Sequence, residues 1–238
     1  MSAASPVFCA IDTTDPDQAD RWARQLAGLV GGLKLGLEFF CANGPDAIRR
    51  VAAGGMPLFL DLKLHDIPNT VAAAMRAVVP LTPAITTIHA GGGPTMMRAA
   101  VEAAAETAER LGVARPKVVA VTVLTSIDAA ELSSLGVADD PAGQVRRLAL
   151  LARQAGCDGV VCSPHEVADL RALCGPDFTL VVPGIRPAGA DTGDQKRVLT
   201  PRQAMERGAD VLVIGRPITA AADPQAAARA IQAEIVGG

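Results

Sequence analysis

The sequence predicts a single-domain (β/α)8 barrel, an α/β fold of the TIM-barrel class, on three observations. Eight short β-branched runs alternate with longer Ala- and Leu-rich stretches of helical period. The runs are apolar almost throughout, as strands buried on both faces are. The length of 238 residues suits eight such units, whose typical total is roughly 250 residues. Alternating strands and helices imply parallel pairing through right-handed crossovers. A doubly wound open sheet is the rival, but it often places a G-x-G-x-x-G turn after its first strand. Here that strand runs into Asp12-Thr13-Thr14-Asp15. No linker, low-complexity tract or composition shift divides the chain, so residues 1–238 are expected to form one domain.

The first run is VFCAI (7–11). Asp15-Pro16 follows, a capping residue before proline at the first helical position, and Trp22, Leu26 and Leu29 then share a helical face. GLKLG (32–36), LFLDLK (58–63) and AITTIHA (84–90) are the next three strands. After them Met97, Val101, Ala104, Ala108 and Leu111 line one face of a helix. KVVAVTVL (117–124) is the fifth strand, and a short helix and loop are expected over 126–141. Asp140-Pro141 opens a helix that aligns Val145, Leu148, Ala152 and Ala155. GVVCS (159–163), TLVVPG (179–184) and VLVIG (211–215) complete the eight, and Asp223-Pro224 opens the last helix.

Composition excludes several classes of function. Lys plus Arg is 22 and Asp plus Glu is 25, a net charge of −3. That balance gives no global attraction to nucleic acid or anionic lipid. Five Phe, one Trp and no Tyr leave little to stack on single-stranded bases. The five cysteines are odd in number and contain no C-x-x-C pair, which argues against a disulfide framework or a structural zinc. No apolar stretch reaches the roughly 18 residues of a membrane span. The opening MSAASPVF lacks the basic and apolar regions of a signal peptide. A cytoplasmic protein with neither nucleic-acid nor membrane partners is expected.

In a barrel of this kind the chemistry stands where strands end. The third strand carries the densest polar cluster, FLDLKLHDIPNT (59–70). Asp61 and Lys63 are two residues apart, so both face the barrel interior while Leu60, Leu62 and Leu64 face the helices. Asp66 follows in the loop, and Thr70 lies near the next helix start. An ion pair with helix caps would explain these residues structurally, but inward charges are costly unless paired or used. Lys34 in the second strand can lie near Asp61, and Asp12 ends the first. Asp12, Lys34, Asp61, Lys63 and Asp66 thus place alternating charges at one end of the fold.

The opposite arc carries phosphate-binding features. VPGIRPAG (182–189) follows strand seven and IGRPIT (214–219) follows strand eight, where barrels of this class commonly bind phosphate. Gly184 and Gly215 allow close backbone approach, and Arg186 and Arg216 offer bidentate donors. Surface arginines beside turn glycines are the plainer alternative. RPAGADTGDQKR (186–197) suits a lid, and Gln195 within it can donate an amide hydrogen. Strand five ends in LTS (124–126), where Thr125 can read a heterocycle edge or cap the segment from Asp128. The three histidines make poor candidates, and no His-plus-carboxylate spacing suggests a metal.

These residues closely resemble those of the orotidine 5'-phosphate decarboxylase family in its bacterial form. DLKLHDIPNT matches the signature D-x-K-x-x-D-I-P-x-T, and GLKLG, VTVLTS, VVPGIRP, GDQKR and IGRPI match in order. The resemblance runs from 7 to 219. It implies a homodimeric barrel free of cofactor and metal that converts orotidine 5'-phosphate to UMP. In it Lys34, Asp61 and Lys63 form a charge network completed by Asp66 of the other subunit. Lys63 stabilises and protonates the C6 carbanion, and Asp12 contacts the ribose. Thr70 reaches across the dimer, and Thr125 contacts the pyrimidine. Arg186, Gln195, Gly215 and Arg216 hold the phosphate. Two alternatives share the barrel: a Mg²⁺-dependent sugar-phosphate decarboxylase or aldolase with D-x-K-x-x-D, and a catalytically silent nucleotide-binding protein.

Overall fold

The computed structural model describes residues 5–138, 140–187 and 199–237. Eight parallel strands close in sequence order into a barrel: β1 Val7–Ile11, β2 Gly32–Gly36, β3 Leu58–Leu64, β4 Ile85–His89, β5 Lys117–Val121, β6 Gly159–Val161, β7 Thr179–Val182 and β8 Val211–Ile214. The helices are α1 Pro16–Leu26, α2 Leu37–Ala52, α3 Pro68–Val78, α4 Gly93–Leu111, α5 Ala129–Ser134, α6 Pro141–Gln154, α7 Val167–Cys174, α8 Pro201–Glu206, α9 Arg216–Thr219 and α10 Pro224–Val236. The three Asp-Pro starts are as expected: Asp15, Asp140 and Asp223 accept backbone N–H groups of α1, α6 and α10.

Three expectations are corrected in detail. α1 ends at Leu26, so Leu29 packs on the core from the following turn. Leu111 is 42% exposed, because it is the last residue of α4 before the chain turns away at Gly112. β5 ends at Val121 rather than Leu124. Its neighbour β6 is only three residues long, and the N–H and hydroxyl of Thr122 both turn onto the Val161 carbonyl at the end of that strand.

Two apolar layers result from the period-2 alternation of the strands. Leu60, Leu62 and their equivalents pack outward against the helices. Phe8, Phe59, Ile85, Val119 and Val181 fill the barrel itself, with the Phe8 and Phe59 rings edge to face at 6.2 Å. The inward series of β3 is therefore Phe59, Asp61, Lys63: apolar in the barrel interior and charged toward the C-terminal end of the strand.

The opposite end is tied by a repeated device. Asp158, just before β6, accepts the Val118 N–H at 2.8 Å and pairs with Arg115. Asp210, just before β8, accepts the Leu180 N–H at 2.7 Å and pairs with Arg171. Arg171 also donates to the carbonyls of Gly175, Pro176, Phe178 and Gly208. Replacing it with alanine leaves these acceptors to whatever water reaches them. Arg171→Ala is expected to cost about 2 kcal/mol of stability, the scale of charge-assisted hydrogen bonds, with turnover at the far end of the barrel retained. Urea unfolding beside an activity assay checks both; unaltered stability would show the clamp to be ornamental.

Candidate active site

The charged cluster forms where the strands end. Lys34 Nζ pairs with Asp12 Oδ1 at 3.0 Å, and Lys63 Nζ with Asp61 Oδ2 at 2.7 Å. Gly36 is the register partner of Asp61, and Lys34 Nζ lies 3.2 Å from where a Cβ on Gly36 would stand. The Lys34 ammonium has thus climbed to the level of Asp61. Lys34, Asp61, Lys63 and Thr125 line one cavity of about 200 Å³. Valines of β5, β6, β7 and β8 form its apolar wall, a dry surface for a flat ring beside the charges.

Asp61 and Lys63 face inward as the alternation predicts, but Lys63 does so from a distorted backbone. Its φ is +50°, in the left-handed region that costs a non-glycine residue about 1–3 kcal/mol. Pairing with β4 jumps from Leu60↔Thr86 to Leu64↔Ile88, so three residues of β3 stand opposite Thr87 alone. Such bulges re-aim side chains beside active sites. Thr87 is fully buried. Its Oγ1 accepts the Lys63 N–H at 2.8 Å and donates to Asp61 Oδ1 at 2.8 Å. The sequence reading missed Thr87, and no local signal marks it.

Asp66 stands apart from Lys63 in its own chain. Its Oδ1 accepts the adjacent Ile67 N–H at 2.7 Å, and among the described residues it forms no ion pair. Ile67 beside it is 67% exposed, and Thr70 is exposed in the first turn of α3. His65 stacks on His89 with ring centroids 5.2 Å apart. Burial, with His65 and Lys63 nearby, holds His89 below the usual histidine range, which suits its Nδ1 as acceptor for the Gly91 N–H. Cys162 lines the cavity, but burial pushes its thiol well above the ordinary range. Cys9, beneath Asp12, is pushed up to about 12 by burial first and then by that carboxylate. Neither is a nucleophile at neutral pH.

The phosphate-binding candidates gather where β7 and β8, neighbours in the barrel, both end. Gly184 has φ +75°, a turn conformation that favours glycine. Arg186 follows, its backbone N–H bonded to the Leu199 carbonyl. Gly215 closes against β1: a Cβ there would stand 3.2 Å from Ala10 Cβ and 3.6 Å from Asp12 Oδ2. Arg216 begins α9. Gln195 lies outside the described residues. Among the described residues, no three His, Cys, Asp or Glu side chains gather as a metal site would require, and no helix is long and apolar enough to cross a membrane.

Fold and site together define a class: (β/α)8-barrel enzymes whose charged chemistry stands at the strand ends. The chain belongs to the orotidine 5'-phosphate decarboxylase / HUMPS family, whose model matches residues 5–231. An orotidine 5'-phosphate decarboxylase of Paramagnetospirillum magneticum is 62% identical over 231 residues, 97% of this chain and 98% of that one. Another, of Rhodospirillum rubrum, is 60% identical over 234 residues, 98% of this chain and 95% of that one. The solved orotidine 5'-phosphate decarboxylase of Lactobacillus acidophilus superimposes with a TM-score of 0.85 at 39% identity, covering 98% of this chain and 99% of that one.

Proposed function

We propose that Lys63 is the acid of a decarboxylation that needs neither cofactor nor metal. The reaction is the conversion of orotidine 5'-phosphate to UMP in pyrimidine biosynthesis. The observation that carries the proposal is the Lys63 ammonium, held 2.7 Å from Asp61 at the cavity. When the bond from C6 to the carboxylate breaks, CO₂ leaves and the electron pair stays on C6 with no adjacent sink. A cation beside that carbon stabilises the developing charge. Lys63 then gives its proton to C6, and the neutral amine regains one from water. Asp61 lies toward the departing carboxylate and holds the ammonium in place, while Lys34 and Asp12 extend the alternation toward the ribose.

The other roles follow the same pocket. Thr125 faces the pyrimidine from the loop after β5. Arg186, Gln195, Gly215 and Arg216 hold the phosphate. Asp66, unpaired with Lys63 in its own chain, completes the network of a second subunit, and Thr70 reaches across with it. The protein works in the cytoplasm, without nucleic acid or membrane.

The phosphate grip is tested with two substrates. Arg216→Ala is expected to lower kcat/KM for orotidine 5'-phosphate by roughly 10–100-fold, the worth of a charge-assisted contact, and to slow chemistry as well, since remote binding energy drives closure. Orotidine lacking the phosphate should be a very poor substrate, and the substitution should scarcely alter that residual reaction. Equal damage to both substrates would make Arg216 a structural residue.

A further inference from the structure

We propose that Thr87 is a positioning residue for the Asp61–Lys63 pair, acting through its hydroxyl; the proposal rests on the reading of Lys63 as the acid. Thr87 is the one β4 residue in the register gap, facing Asp61, Leu62 and Lys63 between the pairs Leu60↔Thr86 and Leu64↔Ile88. A backbone N–H can only donate, so the 2.8 Å bond from Lys63 N occupies a lone pair of Thr87 Oγ1. The single hydroxyl proton is then directed to Asp61 Oδ1, also at 2.8 Å. Asp61 Oδ2 takes the Lys63 ammonium at 2.7 Å. The ring is closed: Lys63 backbone, Thr87 hydroxyl, Asp61 carboxylate, Lys63 side chain.

The Lys63 backbone N–H and the Thr87 hydroxyl each have a single proton to give, and both are used within the ring. The hydroxyl therefore fixes both ends of the lysine, its left-handed backbone directly and its ammonium through Asp61. It also reserves one carboxylate oxygen, leaving the other to face Lys63. Thr87 has no exposed surface, so water does not readily replace the hydroxyl. The preceding threonine gives the contrast. Thr86 is equally buried, yet among the described residues its Oγ1 has no hydrogen-bond partner. A buried threonine in β4 thus does not of itself acquire such a network; the bulge and the charged pair create it at Thr87.

Thr87→Val keeps the shape and removes the hydroxyl, while Thr87→Ser keeps the hydroxyl. Valine is expected to lower kcat by roughly 10²-fold, the cost of a small misplacement at a reacting centre, with UMP affinity held within about threefold. Serine should restore kcat to within about threefold of wild type, since positioning needs the hydroxyl alone. In the Lys63→Ala background, Thr87→Val should lower turnover no further, because Thr87 acts through Lys63. Unchanged kcat in Thr87→Val, or equal losses in the valine and serine variants, overturns the proposal. Should the valine variant not fold, Thr87→Cys against Thr87→Ser carries the same comparison with a weak donor in place of a strong one. Substantial turnover in Lys63→Ala alone defeats the reading of Lys63 instead, and is thereby distinct from a failure at Thr87.

Discussion

Lys63→Ala is expected to lower kcat by at least ~10³, because in the proposed mechanism one group both stabilises the carbanion and supplies its proton. The geometry explains why no neighbour takes over. Lys34, the other ammonium lining the cavity among the described residues, is committed to Asp12 at 3.0 Å. Without Lys63, Asp61 keeps its hydrogen bond to Thr87 but loses its cation and faces the substrate carboxylate alone. UMP lacks that carboxylate, so its affinity should change much less. Single-turnover rates and UMP titration on the same preparation separate the two. A variant that keeps a tenth of normal turnover contradicts the assignment.

The second large effect is expected from the proposed dimer. Lys63→Ala and Asp66→Ala homodimers should each be nearly inactive if the partner subunit's Asp66 completes each site. In a mixed dimer one site receives both defects and the other receives neither. Random 1:1 reassembly makes half the dimers mixed, each with one intact site of two. Activity should therefore return to roughly one quarter of wild type per total site, by counting under two-fold symmetry. Differently tagged chains verify that exchange has taken place. Mixed dimers that form without recovering activity would place Asp66 in its own chain's site.

The barrel was legible because its signals are local. Asp-Pro starts, β-branched runs and one-sided helices each need only a few adjacent residues, and all eight strands fall where those patterns place them. Ends were less legible, since a strand stops where its neighbour stops: β5 ends at Val121 because β6 offers no further rung. The charged residues were legible from strand parity. Parity gave the right side for Lys63 without revealing how it gets there, because alternation assumes a regular strand and φ +50° is not one. No glycine marks the bulge. Thr87 was illegible for a related reason. Its value depends on a register shift between two strands, which neither strand's own sequence displays.

The role of Asp66 across a dimer is implied by the resemblance alone; in the fold its carboxylate accepts the Ile67 N–H and pairs with no lysine among the described residues. At the other arc, Gly184 and Gly215 were identified as places of close backbone approach. The first has φ +75°, and the second lies against Ala10 and Asp12.

Whether this chain's own side chains decarboxylate orotidine 5'-phosphate is tested most directly by the ultraviolet absorbance of that substrate after addition of purified protein in EDTA. An absorbance change is expected that runs to completion, at a rate proportional to enzyme, with UMP as product and almost no rate in Lys63→Ala. Tight UMP binding with no turnover, or turnover that appears only when Mg²⁺ is restored, would contradict it.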